Sequence, residues 1–134
     1  MNTAHLIPDI TLPLLIVDDD EMTRRLVSGA LQARGVSQIE EAASLSEASK
    51  AFSKTVFGAA IVDLHLPDGN GMEFVHMVRR GLASRNPDAL IIISSAFVSP
   101  RTSALLSRLG ATEIMRKPPD IDKIVALMSQ RQAA

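Results

Sequence analysis

Four apolar runs in this chain each stop at a residue that carries chemistry. LLIV ends at Asp18, Asp19 and Asp20, AAIV ends at Asp63, LIII ends at Ser94 and Ser95, and the segment ATEIMR delivers Lys117. Wholly apolar runs this short are the mark of strands covered on both faces. Strands separated by helical segments must run parallel, with right-handed crossovers, so their carboxyl ends share one edge of the sheet. Carboxylates, a hydroxyl and one ammonium group therefore meet in one place. That is the outline of a divalent-metal and phosphoryl site.

The segments between the strands support that arrangement. After the aspartates, DEMTRRLVSGALQARG has Met22, Leu26 and Ala30, with Val27 and Leu31, at helical spacing, and Gly35 stops it. Residues 36–41 read as a weaker strand near a sheet edge. Ser44 caps a helix from residue 45 to about 53, and Glu47, three positions on, predicts a capping box. Residues 58–63 form the next strand; a helix from 72 to about 82 presents Met72, Phe74, Val75 and Val78. Asn86-Pro87-Asp88 is a turn signal, and the isoleucine-rich stretch 89–94 is the most strand-like piece. Pro100 suits the first turn of a helix capped by Ser99 and ended by Gly110. A fifth strand at 112–116 precedes a last helix opened by Pro118 and Pro119, with Ile121, Ile124, Val125 and Met128 on one side. Five strands alternating with five helices predict an α/β sandwich, doubly wound about a parallel sheet.

Composition narrows the function classes. A length of 134 residues suits one domain, and 46% hydrophobic residues is too apolar for disorder. The expected division is an irregular lead-in at 1–12, one domain at 13–131 and a short tail at 132–134. A formal net charge of −1 argues against direct nucleic acid binding, and no apolar stretch is long enough for membrane insertion. Without cysteine there is neither a disulfide framework nor a thiolate site. The opening MNTAHLIPDI lacks a basic segment followed by a long apolar one, so a cytoplasmic location is expected.

Taken in order, the strand-end residues resemble the receiver domain of two-component response regulators over nearly all the chain beyond the lead-in. The matching pattern is Asp18-Asp19, Asp63, Ser95 followed by Ala96, and Lys117-Pro118, with Pro67 and Gly71 after the central aspartate. Any one of these is weak; their order at the strand ends is specific. The resemblance implies a flavodoxin-like (βα)5 fold with strand order 2-1-3-4-5. It implies Asp63 as phosphoacceptor, attacking phosphorus to give an acyl phosphate. It also implies Mg2+ held directly by Asp19 and Asp63, by Asp18 through water, and by the main-chain carbonyl of His65. Lys117 would pair with a phosphoryl oxygen, and Ser95 would donate its hydroxyl to another. Spacing alone does not separate Ser94 from Ser95; the small Ala96 favours Ser95. Asp20 is assigned to capping the first helix. His5 and His76 receive no catalytic role.

The implied partners are a histidine kinase or histidine phosphotransfer protein as donor, and a downstream target protein or missing output domain as receiver of the signal. The implied protein is a signalling phosphoacceptor, not an enzyme in the ordinary sense. Two departures stand out. Ile114 occupies the position three before the lysine where the family carries an aromatic residue, and Phe97 lies two past Ser95, either at the site entrance or packed under the following helix. Two alternatives are a haloacid-dehalogenase-like phosphatase, loosely suggested by Asp18-x-Asp20, and a pseudo-receiver scaffold. The first needs further metal carboxylates, for which Asp120 and Asp122 are poorly placed; the second would have lost acidic residues that this chain keeps.

Overall fold

Alternation along the buried strands sorts the core into two layers. The computed structural model describes residues 9–82 and 84–133; His5 and the rest of the lead-in up to residue 8 lie outside the described residues. Strands β1 (Leu14–Val17), β2 (Ile39–Ala42), β3 (Ala59–Val62), β4 (Leu90–Ser95) and β5 (Glu113–Arg116) form one parallel sheet of order β2-β1-β3-β4-β5. Helices α1 (Glu21–Gln32), α2 (Leu45–Lys54), α3 (Gly71–Arg79), α4 (Pro100–Leu109) and α5 (Ile121–Ala133) follow the strands in turn. Leu15, Val17, Ala60, Val62, Ile91 and Ile93 face α2, α3 and α4. Leu14, Ile16, Ala59, Ile61, Leu90 and Ile92 face α1 and α5. β1, β3 and β4 are buried along their whole length, as apolar runs in a doubly covered sheet require.

The α2–α3 side holds the aromatic cluster. Phe52 is fully buried, with Phe57 stacked at 5.1 Å and Phe74 edge-on at 5.1 Å between ring centroids. Phe52→Ala should therefore lower unfolding free energy by about 3–5 kcal/mol, measured as a shift of the urea midpoint at constant slope. A loss no larger than an exposed-residue change would contradict this packing.

Local chemistry explains most boundaries. α4 begins at Pro100 behind Ser99, whose side chain accepts from Thr102 N, and ends at Gly110 in the left-handed region (φ 109°). Arg79 locks the far end of the sheet: Nε donates to Gly110 O, while Nη1 donates to the carbonyls of Pro87 and Ala89.

Several sequence expectations need correction. Met22 and Leu26 are 65% and 66% exposed, so of the two overlapping stripes on α1 only Val27 and Leu31 enter the core. At α2, Ser44 accepts from Glu47 N, but Glu47 reaches past Ser44 to accept from Ala43 N, so the reciprocal bond of a capping box is not made. The reciprocal cap lies instead at α3, where Asn70 accepts from Met72 N and Glu73 accepts from Asn70 N. α3 stops at Arg79, short of the expected residue 82, and positive-φ Gly81 turns the chain away. The two prolines before α5 occupy a turn after a cis Lys117–Pro118 bond, and the helix starts at Ile121 behind Asp120, which accepts from Lys123 N. In the lead-in, Ile10 is buried and bridges Val36 in parallel, a short extension of the sheet.

Candidate functional site

The carboxyl ends of β1, β3, β4 and β5 bring Asp18, Asp63, Ser95 and Lys117 to one edge. The ladders continue just past the strands and hold these residues by their backbones. Asp63 N donates to Val17 O at 2.8 Å, Asp18 N to Ala42 O at 3.1 Å, and Lys117 N to Ser95 O at 2.8 Å. Ligand atoms of Asp18, Asp19 and Asp63 lie within 4.8 Å of one another. Asp18 and Asp63 are buried; Asp19 is exposed.

Among the described residues, one cation pairs with this acidic group. Lys117 Nζ donates to Asp18 Oδ2 at 2.6 Å and to Asp63 Oδ2 at 3.0 Å. Burial alone would lower the Lys117 pKa, but the hydrogen bonds and charges of Asp18 and Asp63 outweigh it and raise the pKa. The ammonium thus stays charged at neutral pH. Asp18 is further fixed through Oδ1, which accepts from Asp20 N, and through its carbonyl, which accepts from Arg24 Nη1 at 2.7 Å. Arg24 also reaches Glu41 at 3.0 Å, tying α1 to the end of β2.

Ser95 Oγ is, among the described residues, the one buried side-chain polar atom with no hydrogen-bond partner. An orphaned buried hydroxyl is costly unless something arrives to accept from it. Ser94 is also buried but carries no such deficit. Acidic oxygens clustered at this spacing suit a hard divalent cation, and the orphaned donor suits an oxyanion nearby.

After Asp63 the chain makes a small antiparallel hairpin, unforeseen in the sequence. His65 pairs with Asn70 and Leu66 with Gly69, around the turn Pro67-Asp68. Gly71 is needed where the hairpin closes: a Cβ there would sit 2.7 Å from the Asp63 carbonyl oxygen. His65 N donates to Asp63 Oδ1 at 3.3 Å, so its backbone is already at the site. Arg24, Asp68 and Asn70 were missed as supports of this edge. Only Asn70 had a readable signal, an Asn with Glu73 three residues on.

The remaining candidates fall elsewhere. Asp20 heads α1 at the N-cap position, but its side chain binds Thr23 Oγ1 instead of the helix backbone. Asp122 pairs with Arg34, and Asp120 caps α5, so neither joins the acidic group. His76 is exposed on α3. Phe97 is 68% exposed, and it is Val98 that packs against the core.

A doubly covered, parallel five-stranded sheet with an acidic edge and Lys117 at its carboxyl ends has the architecture of a signalling receiver. The response regulator receiver domain model matches residues 14–129, and the chain belongs to that family. Among curated relatives, the photosynthetic apparatus regulatory protein RegA of Cereibacter sphaeroides is 31% identical over 121 residues, covering 90% of this chain and 63% of RegA. The acid tolerance regulatory protein ActR of Rhizobium meliloti is 33% identical over 118 residues, covering 88% of this chain and 58% of ActR. The chain thus spans about 60% of the length of these relatives. Among solved structures, the beryllofluoride-activated NtrC4 receiver domain dimer superposes with a TM-score of 0.78 at 25% identity, covering 90% of this chain and 96% of that one. A CheY-like receiver from Methanospirillum hungatei gives 0.81 at 24% identity, covering 92% and 98%, and bears on the fold. Among the described residues, no helix is long and apolar enough to cross a membrane.

Proposed function

We propose that Asp63 accepts a phosphoryl group from a phosphohistidine on a histidine kinase or histidine phosphotransfer protein. One Asp63 oxygen attacks phosphorus, the P–N bond breaks, and the departing imidazole takes up a proton. The observation that carries this reading is Lys117 Nζ, 3.0 Å from Asp63 and 2.6 Å from Asp18, at the same edge as the unpartnered Ser95 hydroxyl. Lys117 would turn from Asp63 to a phosphoryl oxygen, and Ser95 would donate to another. Asp19, Asp63 and the His65 carbonyl would hold Mg2+, with Asp18 acting through water. When bound, that ion supplies positive charge where anions must approach one another.

A docking face for the donor lies beside the site. Met22 and Leu26 expose their side chains on α1, and Leu26 lines a hollow of about 300 Å³ with Thr23, Val27, Lys117, Pro118 and Pro119. Exposed apolar groups at the rim of a charged site suit transient association with a protein. The phosphoryl group, with a charge of about −1.5 to −2, would then bias a surface formed by α4, β5 and α5 toward a target protein or an output domain. The proposed location is cytoplasmic. The phosphatase reading lacks support, since Asp20, Asp120 and Asp122 are engaged outside the acidic group.

The direct test is intact mass after incubation with acetyl phosphate and magnesium: one phosphoryl group is expected, released by hydroxylamine. No gain in mass would sink the proposal. How the switch is read is a separate prediction. Ile114 is half-buried, packed against the α2–α4 core layer, and has no ring to swing. A beryllofluoride complex should perturb backbone NMR shifts strongly from Ser95 to Leu105 while Ile114 keeps its rotamer. Phe97→Ala should change the dephosphorylation rate more than Ile114→Ala, since the exposed ring follows Ser95 by two residues in the loop before α4. A rotamer change at Ile114 with the loop before α4 unmoved would overturn this account.

A further inference from the structure

We infer that Asp68 is a positioning residue for the metal-binding edge, strapping the hairpin that carries His65 to the N-terminus of α2. Its two carboxylate oxygens accept from two successive amides of that helix, Leu45 N at 2.8 Å and Ser46 N at 2.9 Å. These bonds hold the Asp68 pKa below its ordinary value, so the strap carries full charge at neutral pH. The hairpin also lies directly on the first residue of α2: a Cβ on Gly69 would come 2.7 Å from Leu45 Cδ2. At its other end the hairpin is tied by the Asn70 cap on α3 and by the close approach of Gly71 to the Asp63 carbonyl. His65 sits between these ties, paired with Asn70. Its carbonyl has no side-chain freedom and can be aimed only by moving the hairpin.

Capping accounts for the acceptors, because Leu45 N and Ser46 N are first-turn amides that Ser44 leaves open, but not for their coming from a distant hairpin. Ser44 already accepts from Glu47 N, which anchors the first turn of α2 from within its own segment. Asp68 reaches Leu45 N and Ser46 N from 23 and 22 residues away, and its two hydrogen bonds join the hairpin to α2 beside the Gly69–Leu45 contact. Fixing a ligand through the group that holds it is a common means of tuning a metal site. The inference rests on the proposal that His65 offers its carbonyl to magnesium.

The experiment titrates the full chain with magnesium chloride alone, by calorimetry and by the backbone NMR shift of His65, alongside thermal unfolding. Asp68→Ala should raise the magnesium Kd about tenfold, the low end for outer-shell partners. Asp68→Asn keeps one acceptor oxygen and should fall between wild type and Asp68→Ala, which preserves the test if the alanine variant does not fold. Ser44→Ala removes a cap from the same helix end without touching the hairpin, so it should lower the thermal midpoint and leave Kd unchanged. If Asp68 variants lose stability while Kd stays that of wild type, or if Ser44→Ala raises Kd equally, the strap has no positioning role. Absence of magnesium binding in the wild type would instead overturn the functional reading and this inference with it.

Discussion

Asp63→Asn should carry no phosphoryl group after treatment with acetyl phosphate and magnesium, a loss of more than about a thousandfold in labelling rate. The amide is nearly isosteric with the carboxylate, and its oxygen can still accept from Lys117, so the edge of the sheet keeps its geometry. What it lacks is nucleophilicity toward phosphorus. Neither neighbour can take over. Asp18 is buried with both oxygens engaged, one by Lys117 and one by Asp20 N. Asp19 is exposed and has no bond to Lys117, the cation that would meet the incoming charge. Thermal unfolding of the variant should remain cooperative, separating loss of chemistry from loss of fold. Equal labelling of wild type and variant would move the phosphoacceptor elsewhere.

The parts of this molecule that could be read from sequence are those set by short-range chemistry. β1, β3 and the first four residues of β4 are apolar because both faces are covered, and their patterns name them without any tertiary information. α4 carries its own punctuation in Ser99, Pro100 and Gly110, and its observed bounds match. The acidic edge follows from topology: residues just past parallel strands must share it. What could not be read depends on contacts between distant segments. α1 offers two overlapping apolar stripes, and only the packing of α5 decides that Val27 and Leu31 go inward while Met22 and Leu26 stay out. Phe97 and Val98 are adjacent and both apolar, so which packs inward depends on how the loop approaches the sheet. The bond from Lys117 to Asp18 spans 99 residues, and no local pattern signals that one lysine serves two carboxylates before any phosphoryl group arrives. Asp68 reads only as part of a Pro67-Asp68-Gly69 turn until α2 is seen against it.

Magnesium should raise the thermal midpoint of the wild type by about 10 °C when it exceeds its Kd a hundredfold, from about 2.7 kcal/mol of binding linkage in a domain of this size. The ground for this is an imbalance of charge. Asp18, Asp19 and Asp63 crowd within 4.8 Å while, among the described residues, Lys117 is the one cation paired with them, and it reaches Asp18 and Asp63 but not Asp19. Like charges at that spacing work against the metal-free fold, and a divalent cation relieves them. Asp19→Asn should therefore act in two directions. Without metal its midpoint should equal or exceed that of wild type, because one charge has left the crowd. With magnesium it should gain much less, because a direct ligand has become a neutral amide. Potassium chloride at matched ionic strength separates site binding from general screening, which acts on both proteins alike. A magnesium response identical in the two proteins would remove Asp19 from the ligand set and leave Asp18, held by Lys117, as the carboxylate to test next.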